Sequence, residues 1–258
     1  MQRGKIIIIF ILFVSVLQVR AYDFEVNGIF YNITAKNKVE VTHNTDTFNS
    51  YSGSIIIPQT IRYADKKYKV VRIGNIAFID CKKLDSVIIP QGVTSIGNTA
   101  FGNSSVRLVV IPASVKSIEK YAFTLCENLE SIIIPDGVKR LEDATFAGCG
   151  SLVSVTIPNS VSYVGNAVFF QCKKMEFITI PKNIVKSGIF GSCSIFLQSE
   201  SLKHIKVAWK NPPKVFAAFN GFNIIQCTLY IPEGSRLNYM KAEGWKDFGT
   251  IEEYNVRR

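Results

Sequence analysis

The sequence predicts a β-rich repeat solenoid, a fold built by stacking short coils of similar sequence. Two observations predict it: an Ile-Pro pair recurs along the chain, and in the central repeats a phenylalanine follows twelve residues after the isoleucine. From the second pair to the sixth, successive prolines are 22, 23, 23 and 23 residues apart. A constant period of this length is the sequence signature of a stacked array. The pairs are Ile57-Pro58, Ile89-Pro90, Ile111-Pro112, Ile134-Pro135, Ile157-Pro158, Ile180-Pro181 and Ile231-Pro232.

Each repeat begins with a short strand that the proline ends. The segments read LDSVIIP from residue 84, VRLVVIP from 106, LESIIIP from 129, LVSVTIP from 152 and MEFITIP from 175. Their alternating β-branched residues are typical of a strand with one buried side. Proline has no N–H to donate to the sheet, so it ends the strand.

A return segment and a Phe-x-x-Cys segment complete each repeat. The return segments GVTSIG, SVKSIE, GVKRLE and SVSYVG place an apolar pair toward the core, with Glu119 and Glu142 where other repeats have glycine. Because strands stack about 4.8 Å apart, we expect ladders of identical side chains inside the coils. The expected phenylalanines are Phe78, Phe101, Phe123, Phe146, Phe169 and Phe190, followed three residues later by Cys81, Ser104, Cys126, Cys149, Cys172 and Cys193.

The combined pattern LxxVxIPxxVxxIGxxAFxxC closely resembles the BspA-like leucine-rich repeat of secreted and cell-surface proteins, best known from bacteria. The resemblance covers residues 51–207, and the later stretch LYIPEGSRLNYMKAEGWKDFGTIEEY is similar to the closing segment of such proteins. It implies a leucine-rich repeat solenoid of about 23 residues per repeat. It also implies a non-enzymatic role in protein–protein interaction, including adhesion, because some characterised relatives are adhesins.

The chain divides into four predicted regions. Residues 1–21 are expected to be a signal peptide and residues 22–50 an N-terminal β cap, in which apolar and polar residues alternate around an Asn-Gly turn. Residues 51–207 form the solenoid, and residues 208–258 form a C-terminal capping region with one short helix in SRLNYMKAEGW. The first repeat carries about nine extra residues around YADKKYK, which predict a hairpin, and the coil from residue 181 to 202 is irregular.

The first 21 residues predict export. Arg3 and Lys5 precede an apolar stretch from Ile6 to Leu17, and cleavage is expected after Ala21. The stretch is shorter than the roughly 20 apolar residues of a membrane-spanning helix. The mature protein is therefore expected to be secreted, periplasmic or on the outer cell surface, without an integral membrane segment.

The charge pattern argues against a nucleic-acid partner. The net charge is +10, and three of these positives lie in the first 21 residues, which leaves about +7. The basic residues are scattered instead of clustered on one element, as a nucleic-acid reader would require. The pairs Lys66-Lys67, Lys82-Lys83 and Lys173-Lys174 are interpreted as solvated loops in preference to an anion-binding surface.

The cysteines are interpreted as free buried thiols. One cysteine per repeat, replaced by serine at Ser104, is typical of a small side chain that fills a narrow internal position. Disulfides among Cys126, Cys149, Cys172 and Cys193 remain an alternative, because adjacent coils bring their Cα atoms within reach. The sequence lacks a Cys-x-x-Cys motif, and neither a metal nor a cofactor is expected.

No catalytic pattern is evident in the sequence. The two histidines, His43 and His204, are 161 residues apart, and neither has an evident nucleophile as partner. Motifs for a nucleophile elbow, a phosphate-binding loop, a dinucleotide site or a zinc protease are missing from the sequence. We therefore expect a binding protein and not an enzyme.

A binding surface is predicted on the outward side of the Ile-Pro strands. One outward column reads Ile56, Ile88, Val110, Ile133, Thr156, Thr179 and Lys206, and the column two residues earlier reads Ser54, Ser86, Leu108, Ser131, Ser154, Phe177 and His204. The candidate site comprises Ile88, Val110, Ile133, Thr156, Thr179 and Phe177.

Three kinds of partner remain open for this surface: a protein, an extracellular polysaccharide or a second copy of the chain in a structural envelope component. A polysaccharide site would require aromatic residues in a row, whereas Phe177, Tyr163 and Tyr121 are expected on different faces. The β-branched residues of the column also favour strands in any setting, and a terminal cap that folds over them would remove the surface.

Overall fold

The computed structural model describes residues 22–44, 48–184, 186–187, 195–215, 219 and 222–255. The expected signal peptide lies outside these residues. The described chain consists of β1 (Phe24–Val26), β2 (Ile29–Ala35), β3 (Lys38–Thr42), β4 (Ser52–Ile56), β5 (Thr60–Tyr63), β6 (Lys66–Ile73), β7 (Lys83–Ile88), β8 (Ser95–Ile96), β9 (Leu108–Val110), β10 (Ser117–Ile118), β11 (Arg140–Leu141), β12 (Ser154–Thr156), β13 (Tyr163–Val164), β14 (Phe177–Ile180), β15 (Lys186–Ser187), β16 (His204–Val207), a 3-10 turn (Ile224–Gln226), β17 (Thr228–Pro232), α1 (Arg236–Lys241) and β18 (Thr250–Tyr254).

The predicted solenoid is confirmed, and its coils stack in parallel. The strands at the Ile-Pro pairs, together with β16 and β18, form what we call the Ile-Pro sheet, in the orders β4-β7-β9 and β12-β14-β16-β17-β18. Bridges from Leu108 to Ser131 and from Ser131 to Ser154 connect these two groups. The register advances by one repeat at each step, so Ile56 lies beside Ile88 and Ile88 beside Val110.

A second sheet, the return sheet, is formed by the return segments together with the N-terminal strands β1 to β3 and the β5–β6 hairpin. Its order is β1-β2-β3-β6-β8-β10-β11-β13-β15, and β5 pairs with β6. The two glutamates that replace the turn glycine remain on its surface, where Glu119 pairs with Arg72 and Glu142 with Arg140. The charged side chains are therefore accommodated without entering the core.

The Phe-x-x-Cys side of each coil is also hydrogen-bonded from coil to coil. Phe101 N–H donates to the Ala122 carbonyl at 2.8 Å, and Phe123 N–H donates to the Thr145 carbonyl at 2.9 Å. The residues two before and two after the phenylalanine have positive φ, as in Tyr121 (59°) and Leu125 (57°) around Phe123. This left-handed backbone is uncommon for residues other than glycine. No sequence pattern predicts this backbone conformation, because these positions hold residues of many types.

The phenylalanine ladder is the spine of the core. From Phe78 to Phe101, Phe123, Phe146, Phe169 and Phe196, neighbouring rings stack with centroid distances of 4.9, 5.0, 5.5, 5.9 and 6.3 Å. Tyr51 begins the ladder, 4.6 Å from Phe78, and Phe222 packs edge-on against Phe196. Phe196 occupies the position that the sequence assigned to Phe190, which lies outside the described residues. The assignment failed because the irregular coil after residue 181 is longer than its predecessors.

The cysteine positions form a second internal ladder with a specific hydrogen bond. Three thiols donate to the carbonyl of the ladder phenylalanine one coil earlier: Cys126 to Phe101 at 3.0 Å, Cys149 to Phe123 at 3.2 Å and Cys172 to Phe146 at 3.3 Å. Ser199 donates in the same way to Phe169 at 2.9 Å. Ser199 thus takes the position expected for Cys193, which lies outside the described residues.

The five described cysteines are free and buried, in agreement with the sequence interpretation; they are Cys81, Cys126, Cys149, Cys172 and Cys227. Burial raises the pKa of the Cys126 and Cys172 thiols to about 12 and that of Cys149 well above its usual value. Burial in apolar surroundings disfavours the charged thiolate, so these side chains stay protonated donors at neutral pH.

Two predicted hairpins precede the regular coils. The β1–β2 turn at Asn27-Gly28 has positive φ at both residues, 52° and 77°. The extra residues after Pro58 form the hairpin of β5 and β6, whose turn residues Ala64 and Asp65 also have positive φ. Two successive left-handed residues suit a two-residue hairpin because their twist matches that of the flanking strands.

The parallel Ile-Pro sheet extends beyond Val207, the residue at which the sequence predicted the array to end. β17 pairs in register with β16, and β18 pairs with β17. The long connection between residues 208 and 227 hid this continuation, because it breaks the 23-residue spacing. The predicted short helix is present as α1, and Tyr239 of this helix packs against the buried Trp245 at 5.4 Å between ring centroids.

Replacement of Phe123 by alanine should lower the free energy of unfolding by about 3–5 kcal/mol, because it removes a buried ring between two stacked neighbours. Ile133→Ala, at a side chain that is 82% exposed in the next coil, is the control and should change it by less than about 1 kcal/mol. Urea unfolding followed by circular dichroism measures both. Equal losses would contradict the role of the ladder.

Replacement of Cys149 by serine should leave stability nearly unchanged, since the hydroxyl can donate to the Phe123 carbonyl as the thiol does. Cys149→Ala removes the donor and should cost about 1 kcal/mol. The same unfolding measurement compares the two variants. A serine variant less stable than the alanine variant would show that the hydrogen bond does not matter.

Ellman's reagent should react with none of the thiols of the folded Cys193→Ser variant at pH 8, because the reaction needs a thiolate and burial raises the thiol pKa values. Unfolding in guanidinium without reductant should release all five remaining thiols. A smaller number in the unfolded protein would reveal disulfides.

Candidate binding surface

The Ile-Pro sheet presents its outward side chains in straight columns. In β7, Val87 is buried and Ile88 is exposed; in β9, Val109 is buried between the exposed Leu108 and Val110. Strand alternation therefore separates the core from the surface at every coil. Because the parallel register fixes neighbouring coils, equivalent residues lie side by side along the whole sheet.

The N-terminal part of the first column is an exposed aliphatic strip. Its members Ile56, Ile88, Val110 and Ile133 are 70, 42, 44 and 82% exposed. Leu108, in the neighbouring column, is 45% exposed and widens the strip. No described residue covers these side chains, so the strip is a continuous apolar surface.

The column becomes polar toward the C-terminal coils. Thr156 is exposed and Thr179 half-buried, and they lie in register with each other and with Lys206. The structure extends this column into Tyr230 of β17, which the sequence prediction did not include. The Lys206 ammonium lies 4.1 Å from the ring centroid of Tyr254, a cation–π contact that orients the lysine.

Phe177 belongs to a row of rings formed with His204, its neighbour in the second column, and Tyr230 of the first column. Its ring centroid is 6.2 Å from that of His204, which is 5.8 Å from that of Tyr230. The Tyr230 hydroxyl and His204 Nδ1 are 3.4 Å apart. Three successive coils therefore place an aromatic group at one end of the candidate surface. The sequence missed this row because Tyr230 follows the irregular connection.

Tyr163 and Tyr121 lie outside the Ile-Pro sheet. Tyr163 is in the return sheet beneath the Arg140 guanidinium, which is 3.7 Å from its ring centroid. Tyr121 is exposed on the Phe-x-x-Cys side. The expectation that Phe177, Tyr163 and Tyr121 occupy different faces is therefore correct.

Two adjoining grooves border the sheet surface. One has a volume of about 920 Å³ and is lined by residues that include Ile133, Thr156, Thr179 and Lys206. The other has a volume of about 690 Å³ and includes Trp209 and Lys182 in its lining. Both grooves share Asn159, Ala208 and Tyr254. Three of the six candidate residues, Ile133, Thr156 and Thr179, thus line a concave region, which offers a ligand more contact than a flat sheet would.

The histidines do not form a shared site. His43 follows β3, where burial lowers its pKa and its ring centroid lies 5.5 Å from that of Phe48. His204 lies in β16, among the rings of the Ile-Pro sheet. Within the described part of the chain, no group of three His, Cys, Asp or Glu residues could hold a metal ion. No helix among the described residues is long and apolar enough to span a bilayer.

Comparison with known sequences identifies the repeat. A family model described as the BspA type leucine-rich repeat region matches residues 71–197 in six copies. The chain belongs to the BspA-type leucine-rich repeat family. The matched range contains the six ladder phenylalanines from Phe78 to Phe196. A search of curated proteins found no match.

Solved structures of similar proteins include a leucine-rich repeat protein of T. pallidum, with 20% identity and a TM-score of 0.58, covering 85% of this chain and 97% of that one. A Bacteroides ovatus leucine-rich repeat protein has 21% identity and a TM-score of 0.33, with 91% and 90% covered. A leucine-rich cell-surface protein of Faecalibacterium prausnitzii has 17% identity and a TM-score of 0.29, with 91% and 95% covered. Only the first of these likenesses supports the fold of this BspA-type chain.

Proposed function

We propose that this BspA-type protein is a non-enzymatic recognition protein that binds a protein partner through its Ile-Pro sheet. The observation that carries the proposal is the aliphatic strip of Ile56, Ile88, Val110 and Ile133, which is exposed and in register on four successive coils. An exposed contiguous apolar surface is typical of an interaction site.

The strip has the composition of an interface centre. Neighbouring coils lie about 4.8 Å apart, so the four side chains extend over roughly 15 Å. Burying an aliphatic side chain fully contributes about 1.5–3 kcal/mol relative to leaving it in water. Serines flank the strip in the second column, at Ser54, Ser86 and Ser131. An apolar centre with a polar rim is the usual anatomy of a protein–protein interface.

The place of action follows from the predicted leader. A signal peptide at residues 1–21 would direct the protein to the periplasm, the outer cell surface or the medium. Adhesion to a host or to another cell is the form of protein binding that this location and the family resemblance support. No step of catalysis is proposed, because the described thiols are buried with raised pKa values and the histidines lie in different parts of the fold.

A polysaccharide is the second candidate ligand, and a specific observation favours it. Phe177, His204 and Tyr230 form a row on successive coils beside the grooves that hold Tyr254 and Trp209. Sugar rings stack on such surfaces through their apolar faces, while hydroxyls such as those of Thr156 and Thr179 can bind the sugar hydroxyls. This ligand would use the C-terminal half of the sheet instead of the aliphatic strip.

The combined variant Ile88→Glu, Val110→Glu and Ile133→Glu should lose binding to a protein partner, because it places three charges in the apolar centre. The matched control Tyr121→Glu, Leu125→Glu and Leu197→Glu changes three exposed apolar residues on the Phe-x-x-Cys side and should bind normally. Residues 22–258 of each variant are tested against arrays of host-matrix proteins, bacterial surface proteins and polysaccharides, after circular dichroism has established folding.

The outcomes separate the three kinds of partner. A protein hit lost only in the sheet variant supports the proposal. A polysaccharide hit that survives this variant and is lost in Phe177→Ser with Tyr230→Ser would favour the second candidate. A native protein that forms dimers in light scattering, and a sheet variant that is monomeric, would identify a second copy as the partner.

A further inference from the structure

The return sheet presents a group of exposed basic side chains on three adjacent strands. We call it the basic face and define it by Lys38 of β3, Lys67 and Lys69 of β6 and Arg62 of β5. All four side chains are exposed. In β6 the alternate residues Tyr68 and Val70 are buried, so Lys67 and Lys69 both point outward. We propose that this face binds a linear acidic polysaccharide, one whose sugars carry sulfate or carboxylate groups.

The register of three adjacent strands brings the cations together. Lys38 lies directly beside Lys69 across the β3–β6 pair. Arg62 lies directly opposite Lys67 across the β5–β6 pair. Adjacent strands are about 4.8 Å apart and alternate residues along a strand about 7 Å apart. The four cations therefore form two short rows on one patch, although the sequence suggested that Lys66-Lys67 belongs to a solvated loop.

The fold does not neutralise this charge. None of the four cations forms an ion pair with any described residue, whereas cations elsewhere on the surface do, as in Lys120–Asp143 and Arg107–Asp85. The acid nearest in sequence on β3, Glu40, is 3.4 Å from Arg72 and is already paired. Like charges placed directly opposite each other destabilise a sheet. The arrangement is therefore a cost to folding that a bound polyanion would remove.

The chemistry of the face favours an acidic polysaccharide over other polyanions. No aromatic side chain lies on this face among the described residues, so it cannot stack the bases of a single-stranded nucleic acid. Tyr63 alternates to the opposite side, where its ring stacks on Phe24 at 4.2 Å. The face also lacks the exposed large apolar residues that insert into a membrane surface. Thr60, which lies opposite Lys69, adds a neutral hydroxyl suited to a sugar hydroxyl between two anionic groups.

The basic face is separate from the aliphatic strip. Its strands belong to the return sheet, whereas the strip lies on the Ile-Pro sheet. Binding of an acidic polysaccharide is thus a further activity that does not depend on the proposed protein partner. One ligand can be tested without the other.

The test compares two variants of equal net charge by calorimetry. The first variant combines Lys38→Gln, Lys67→Gln and Lys69→Gln and removes three charges from the basic face. The second variant combines Lys139→Gln, Lys173→Gln and Lys174→Gln and removes three charges from exposed positions elsewhere. The probes are a size-fractionated heparin oligosaccharide, a polyuronate oligosaccharide and neutral dextran. The first variant should bind the acidic probes about tenfold more weakly or worse, and the second should bind like the native protein. Added salt should weaken native binding.

Stability supplies an independent readout. Loss of the like-charge neighbours should leave the Tm of the first variant unchanged or higher, so weaker binding cannot be attributed to unfolding. Heparin binding without polyuronate binding would identify sulfate as the recognised group, and the reverse would identify carboxylate. Any of four results would overturn the proposal. These are equal weakening of binding in both variants, no binding by the native protein, a lower Tm in the first variant, and tighter binding to duplex DNA or to phosphatidylglycerol vesicles than to the acidic probes.

Discussion

Stacking of one coil on the next is the constraint on which the rest of the structure depends. A single coil has too few residues to bury its own apolar side, so its phenylalanine is covered by the rings above and below. Hydrogen bonds on the Phe-x-x-Cys side and in both sheets connect the same neighbours. Stability in such an array is a sum over adjacent coils, and each internal position must suit the same position one repeat away.

The packing of the core also determines how the surface residues are arranged. Because Val87, Val109 and Ile132 must point inward at the same height, the residues between them form columns on the outside. The aliphatic strip and the aromatic row are therefore properties of the stack, and neither belongs to a single repeat. Repeats of different length keep the columns aligned, because the strand register is retained: Ile56 pairs with Ile88 across the inserted hairpin, and Thr179 pairs with Lys206 across the longer coil after residue 181.

Much of the fold could be predicted because the same sequence pattern occurs in several repeats, and each occurrence supports the same structural element. The Ile-Pro spacing predicted the strands, and the Phe and Cys positions predicted two internal ladders. Prediction failed where spacing failed: Phe196 and Ser199 occupy the positions expected for Phe190 and Cys193. The left-handed residues beside each phenylalanine could not be inferred, since residues as different as Thr99 and Leu125 adopt that backbone. The sequence correctly predicted that the candidate residues face outward. It could not predict the grooves, because their lining includes Trp209 and Tyr254, which follow the irregular coil.

The ring spacing of the ladder has a mechanical consequence. The centroid distances rise steadily from 4.9 Å between Phe78 and Phe101 to 6.3 Å between Phe169 and Phe196. Dispersion attraction weakens quickly as atoms separate, so cohesion between coils declines toward the C-terminal end. The coils are therefore packed more closely at the N-terminal end of the ladder than at its C-terminal end. Under tension or in mild denaturant, the C-terminal coils would separate first, while the N-terminal coils, which carry the aliphatic strip, stay assembled.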